Sequence, residues 1–136
     1  MSKKAERIVQ TMLENDFFSQ WLGIEVKALA PGSCLLQMVV RKEMVNGFGI
    51  AHGGIAYSLA DSALAFAANG HGTHSLSVET SIAYFNKMME GETILAEATE
   101  IHRSPKLAKY QVEVFSLSGE KKALFSGLVY RTGKEW

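Results

Sequence analysis

Residues 46–70 read "NGFGIAHGGIAYSLADSALAFAANG", a glycine-rich loop running into a helix that is apolar on all sides from about Gly54 to Ala68. A helix at a protein surface shows one apolar stripe and one polar face, so a helix without a polar face has to be enclosed. The chain has 136 residues, 47% of them apolar, which is material for one core. The enclosing element lies downstream. "HSLSVETSIAYFN", "ETILAEATEIHR", "AKYQVEVFSLS" and "KKALFSGLVYRT" are β-rich segments broken by Glu90-Gly91-Glu92, Ser104-Pro105-Lys106 and Ser118-Gly119-Glu120. In the third of these, Gln111 and Glu113 alternate with Val112 and Val114, so one face is wet and the other meets a core. Upstream, "GIEVKALAPGSCLLQMVVR" predicts a hairpin over residues 23–41 around Ala30-Pro31-Gly32-Ser33, because Pro then Gly suits the middle of a type II turn. Residues 4 to about 15 place Ile8, Val9, Met12 and Leu13 on one face of an amphipathic helix. The expectation is an α+β fold, a single domain over residues 1–136. An antiparallel six-stranded sheet wraps a central apolar helix, with an N-terminal helix as cover.

Within the apolar helix stands one carboxylate, Asp61. An ionised carboxylate in such surroundings costs several kcal/mol unless paired and hydrogen-bonded, and none of Tyr57, Ser58 and Ala65 nearby supplies a positive charge. A fold that keeps this group is expected to use it.

Composition removes other classes of function. Fourteen basic and fourteen acidic residues cancel, so neither nucleic acid nor a membrane surface is expected as a partner held by bulk charge. The lone Cys34 has no disulfide partner, no run nears the roughly 20 apolar residues of a spanning helix, and "MSKKAERIVQ" lacks the apolar centre of a signal peptide. A cytoplasmic location is expected. Four histidines and one cysteine show no ligand-like spacing, so no metal is expected.

The order helix, two strands, buried helix, four strands, with "NGFGIAHGG" leading into the helix, Asp nine residues after the His and "SVETSIAYF" from Ser77, resembles the hotdog-fold acyl-CoA thioesterases. Among them it is most similar to the phenylacetate-degradation (PaaI-like) branch. The resemblance implies hydrolysis of an acyl-CoA thioester, without a cofactor, by a homodimer or homotetramer.

The residues support that chemistry on their own terms. A thioester hydrolase must polarise a carbonyl, and the unpaired first N–H groups of a helix, at the positive end of its dipole, do so. Gly53 and Gly54 let a substrate come close to them. A carboxylate then serves as general base or as nucleophile, and Asp61 is the only acidic residue in the apolar helix. Seven or eight residues at about 1.5 Å each put it roughly 10 to 12 Å from those N–H groups, too far for one reacting carbon. Two antiparallel helices from different subunits bring Gly53 of one chain to Asp61 of the other.

Further roles are implied by the resemblance: Asn46 as an amide beside the Gly53 N–H, His52 as the residue shaping the turn and orienting the carbonyl, Ser77 as the hydroxyl holding the attacking water. Each has a plainer reading, Asn46 and His52 as turn residues and Ser77 as a surface serine. Phe48 and Tyr57 are candidates for the acyl pocket, with core or interface packing as the alternative. Lys87, Arg103 and Lys106 are candidates for a positive cluster that takes the phosphates of coenzyme A, or are solvated loop charges. The resemblance also implies a proline after the third strand, where this chain reads "FNKMMEG". Two other functions stay open at this point. One is a hotdog enoyl-CoA hydratase or dehydratase, and the other is a non-catalytic acyl-CoA binding module, which gains little from a buried carboxylate.

Overall fold

The computed structural model describes residues 2–136. Helix α1, Lys3–Asn15, begins where the Ser2 side chain accepts the Ala5 N–H, and it buries Ala5, Ile8 and Val9. Asp16 then turns the chain into a second helix that the hydrophobic pattern does not predict, α2, Phe17–Leu22. Its side chain caps α2 by accepting the Ser19 N–H at 3.0 Å, and Gly23 closes the helix at φ +74°, a left-handed conformation natural to glycine.

Strands β1, Glu25–Ala30, and β2, Ser33–Val39, form the expected hairpin, with Gly32 at φ +84° in its turn. A short 3-10 turn, Lys42–Met44, leads to the loop before α3, Gly53–Asn69. Four longer strands follow: β3, Thr73–Tyr84; β4, Thr93–Arg103; β5, Leu107–Ser116; and β6, Lys121–Glu135. The strands make one antiparallel sheet in the order β1-β2-β4-β5-β6-β3.

The sheet curls around α3, which touches all six strands. Small residues make this possible: Ala56, Ala60, Ala63, Ala67 and Ala68 are buried, so strand side chains reach the helix backbone. On the sheet side, Gly127 of β6 leaves room for Leu64, since a Cβ there would lie 2.7 Å from the leucine methyl. Strand β5 buries alternate residues, Val112 and Val114 inward with Gln111 and Glu113 less covered, as the sequence predicts. Strand β3 is different. It is a sheet edge twelve residues long, bonded only to β6, with Leu76 66% and Val78 59% exposed. A long edge leaves a row of backbone N–H and C=O groups unpaired, a template on which another strand can pair. No described helix is long and apolar enough to cross a membrane.

Candidate active site

The start of α3 is built by the loop before it. Val45 and Ala51 form an isolated bridge, and between them the Asn46 Oδ1 accepts the N–H groups of Phe48 at 2.9 Å and Ile50 at 3.4 Å. Asn46 thus does shape the turn, while its Nδ2 has no acceptor among the described residues. The His52 N–H donates to the Met44 carbonyl at 2.8 Å, and the Ala51 N–H to that of Met88 at 2.8 Å. The His52 ring caps the helix, its Nδ1 accepting the Gly54 N–H at 3.0 Å. Nδ1 is therefore the unprotonated nitrogen of a neutral ring, with the hydrogen on Nε2.

That bond separates the two glycines. The Gly54 N–H is committed to His52, whereas the Gly53 N–H has no acceptor among the described residues. The Tyr84 hydroxyl donates to the Gly53 carbonyl at 2.8 Å, and a Cβ on residue 53 would sit 3.0 Å from that hydroxyl. A side chain at residue 53 would require the Tyr84 ring to give way by a few tenths of an ångström.

These groups face a cavity of about 250 Å³ whose walls include Asn46, His52, Gly53, Tyr84, Lys87 and Lys122. An oxygen placed there meets an unpaired N–H at the positive end of a helix dipole, with an amide donor nearby. No carboxylate lines it.

Asp61 lies two turns along α3, half-buried. Burial and then the nearby Asp16 carboxylate raise its pKa above the usual aspartate value, and no hydrogen bond or cation offsets them. Its neighbour Ser62 is anchored: the Ser19 and Ser62 hydroxyls lie 2.8 Å apart, and Ser19 donates to Asp16 Oδ2 at 2.6 Å.

The other candidates are spread out. Ser77 lies exposed on β3, paired with Val129 beside a bulge. Phe48 is 89% exposed at the loop tip. Tyr57 is packed instead, its hydroxyl bonded to that of Thr80 and its ring edge-on to Phe125 at 5.2 Å. Lys87 borders the cavity, but Arg103 and Lys106 lie at the far end of the eleven-residue β4. At about 3.3 Å per residue they are some 30 Å away, so the expected positive cluster is divided within one chain. Arg103 is also paired with Glu100 at 3.3 Å.

Sequence reasoning missed Tyr84, Lys122 and Asp16. Tyr84 closes the alternation of "SIAY", whereas Lys122 stands beside Lys121 with no local signal of burial. Among the described residues no cluster of three His, Cys, Asp or Glu has a size that would hold a metal. Burial pushes the Cys34 thiol up to about 12, which leaves it unreactive.

Comparison with known proteins identifies the family. Residues 48–123 match the thioesterase superfamily. An Archaeoglobus fulgidus protein provisionally named an esterase is 38% identical over 135 residues, 99% of this chain and 88% of the relative. The acyl-coenzyme A thioesterase PaaI of Escherichia coli is 32% identical over 133 residues, 98% of this chain and 95% of the relative. The E. coli PaaI structure superposes with a TM-score of 0.96, covering 98% of this chain and 97% of that one at 31% identity. A variant of the phenylacetic acid degradation protein PaaI from Thermus thermophilus gives 0.82 at 40% identity, over 85% of this chain and 99% of that one. The chain belongs to the thioesterase superfamily, among the hotdog-fold acyl-CoA thioesterases of the PaaI-like branch.

Proposed function

We propose that the protein hydrolyses aryl- or medium-chain acyl-CoA thioesters at two equivalent sites, each shared by two copies of the chain across a two-fold axis. The observation that carries this is the division of the machinery along one rigid helix. The free Gly53 N–H and Asp61 are eight residues apart in α3, about 12 Å at 1.5 Å per residue, whereas both must come within about 3 Å of the reacting groups. The exposed β3 edge supports the same reading. Pairing with a second β3 in antiparallel sense continues the sheet and sets the two α3 helices antiparallel.

In that arrangement the thioester oxygen accepts from the Gly53 N–H and from Asn46 Nδ2 of one chain, while His52 holds the turn. Asp61 of the other chain, made more basic by burial and Asp16, takes a proton from water held with the Ser77 hydroxyl as that water attacks the carbonyl carbon, or attacks that carbon itself to form an acyl anhydride that water then hydrolyses. The carbon–sulfur bond breaks, and the products are the free acid and coenzyme A. Antiparallel pairing also joins opposite ends of the two strands. Lys87 follows the Tyr84 end, and Lys106 adjoins the Leu76 end through Tyr130, which pairs with both Leu76 and Leu107. Lys87 of one chain therefore approaches Arg103 and Lys106 of the other, a divided cluster reunited for the phosphates. Phe48, exposed in the single chain, borders the acyl group in the pair. A dimer of such dimers gives a homotetramer, and charge balance with a lone buried thiol suits the cytoplasm.

A panel of acyl-CoA thioesters assayed by thiol release tests the reading. Thiol release from phenylacetyl-type or medium-chain substrates, with no hydrated product, is expected. Hydration without thiol release, or binding without turnover across the panel, contradicts it.

A further inference from the structure

Lys122 lies in β6 and is only 3% exposed, though it carries a charge. Its Nζ donates to the Lys87 carbonyl at 2.8 Å and to Glu120 Oε1 at 2.5 Å, and pairs with Glu92 Oε1 at 3.2 Å. An ammonium has three donors, and three acceptors surround it. It borders the cavity with no donor left for a ligand. Burial alone would lower its pKa, but Glu120 and Glu92 outweigh burial and raise it, so the group stays charged at neutral pH.

What this ammonium holds is the segment joining β3 to β4, residues 85–92, which contains no proline to stiffen it. The Lys122 carbonyl accepts the N–H groups of Phe85 at 2.8 Å and Asn86 at 3.2 Å. Glu92, fixed by the ammonium, accepts the Met89 N–H at 2.6 Å. The next carbonyl after Lys87, that of Met88, accepts the Ala51 N–H at 2.8 Å, two residues before Gly53. A continuous line thus runs from the ammonium through Lys87 and Met88 to Ala51 and the first turn of α3.

We propose that Lys122 is a positioning residue of the thioester site, fixing the segment 85–92 through the Lys87 carbonyl and, through the Met88 carbonyl and Ala51 N–H, the placement of the Gly53 N–H. The proposal rests on the reading of Gly53 as the group that polarises the carbonyl. It gives the site a rigid frame made of a charge and its acceptors.

The test compares Lys122→Met, which keeps the apolar stem and removes the ammonium, with Val112→Ala, a core truncation in β5 away from the cavity. Both are measured for thermal stability, for thiol release and for hydrogen exchange at the Ala51 amide. A misplaced donor weakens transition-state contacts more than binding, so Lys122→Met is expected to lower kcat about tenfold or more with KM changed less than about threefold. Exchange at Ala51 speeds up beyond that in Val112→Ala, which keeps wild-type kcat. Wild-type kcat in Lys122→Met, or Ala51 exchange no faster than in Val112→Ala, overturns the proposal. Should Lys122→Met not fold, the Glu92→Gln/Glu120→Gln double variant keeps the lysine and strips its charge partners. Faster Ala51 exchange and a smaller loss of kcat are then expected, and unchanged values overturn the proposal. Wild-type protein that releases no thiol would defeat the hydrolytic reading, while Ala51 exchange still decides the role of Lys122.

Discussion

The first turn of α3 and the turn that carries Asp61 belong to one helix and are held in opposite ways. The first turn is fixed from every side, by the His52 ring on the Gly54 N–H, the Tyr84 hydroxyl on the Gly53 carbonyl, and the Met88 carbonyl on Ala51. One N–H is left over, aimed by its surroundings. Two turns later Asp61 is half-buried, with only burial and a like charge acting on it. Preorganised donors are worth most when their positions cannot relax, and a carboxylate is most reactive when nothing neutralises it. On the proposed mechanism, the contrast means that one chain builds a finished donor half and an unsatisfied base half. The sheet repeats it, since β5 is paired on both sides whereas β3 ends in an open edge.

The largest effect is expected at the unsatisfied half. Asp61→Asn keeps shape but removes basicity and nucleophilicity, and should lower kcat at least about 100-fold with substrate binding retained. Because the folded pKa of Asp61 is raised, the native state holds its proton more tightly than the unfolded chain, so stability falls as pH climbs from the unfolded to the folded value. At neutral pH the asparagine variant should therefore melt higher than wild type, and the acid limb of the wild-type kcat profile should lie above the usual aspartate range. Near-normal turnover would remove Asp61 from the mechanism.

Next comes the open edge. Val78→Lys places a charge where a second β3 is expected, and should weaken self-association at least about tenfold by sedimentation, with activity falling in step. An unchanged association constant would close that edge to the partner strand. The finished half should respond less. His52→Ala loses the cap of α3, at a cost of about 1 kcal/mol in stability by denaturant melting, while His52→Asn, which still accepts from the helix, should restore most of it. Equal losses in both would show that the cap is not what His52 contributes to stability. Smallest is Tyr84→Phe, which removes one partly exposed hydrogen bond and should cost about 0.5–1 kcal/mol by the same measurement. A larger loss would mean the hydroxyl holds more than the Gly53 carbonyl.

Much of the architecture was legible because it is written in period and punctuation. The run after Gly54 had to be enclosed, the alternation around Val112 had to be a half-buried strand, and Pro31-Gly32 had to turn. Helix α2 was not legible from periodicity, since six residues span under two turns and Phe17 and Phe18 stay exposed. Its real signals were chemical, Asp16 at one end and Gly23 at the other. At the site, Gly53 and Asp61 stood out because a glycine pair before a helix and a carboxylate inside it each need a reason. Lys122 did not, since a lysine beside another lysine gives no sign of burial. Its place depends on Glu92 and Glu120 closing around it, a tertiary fact. The gap between Lys87 and Arg103 likewise follows from strand length and register and from no local motif.

The central claim is that the two halves work across two chains, and mixing subunits tests it most directly. Gly53→Pro deletes the N–H at the oxyanion position, where losing one donor typically costs about 100 to 1,000-fold, and Asp61→Asn removes the base. Each variant, first shown to form folded dimers, should be nearly inactive alone. A heterodimer of the two holds one site with both lesions and one with neither. Co-refolding should therefore restore roughly half the wild-type activity per heterodimer, or about a quarter overall when subunits mix statistically. Verified heterodimers that stay as inactive as either parent would show that Gly53 and Asp61 do not serve one thioester across the interface.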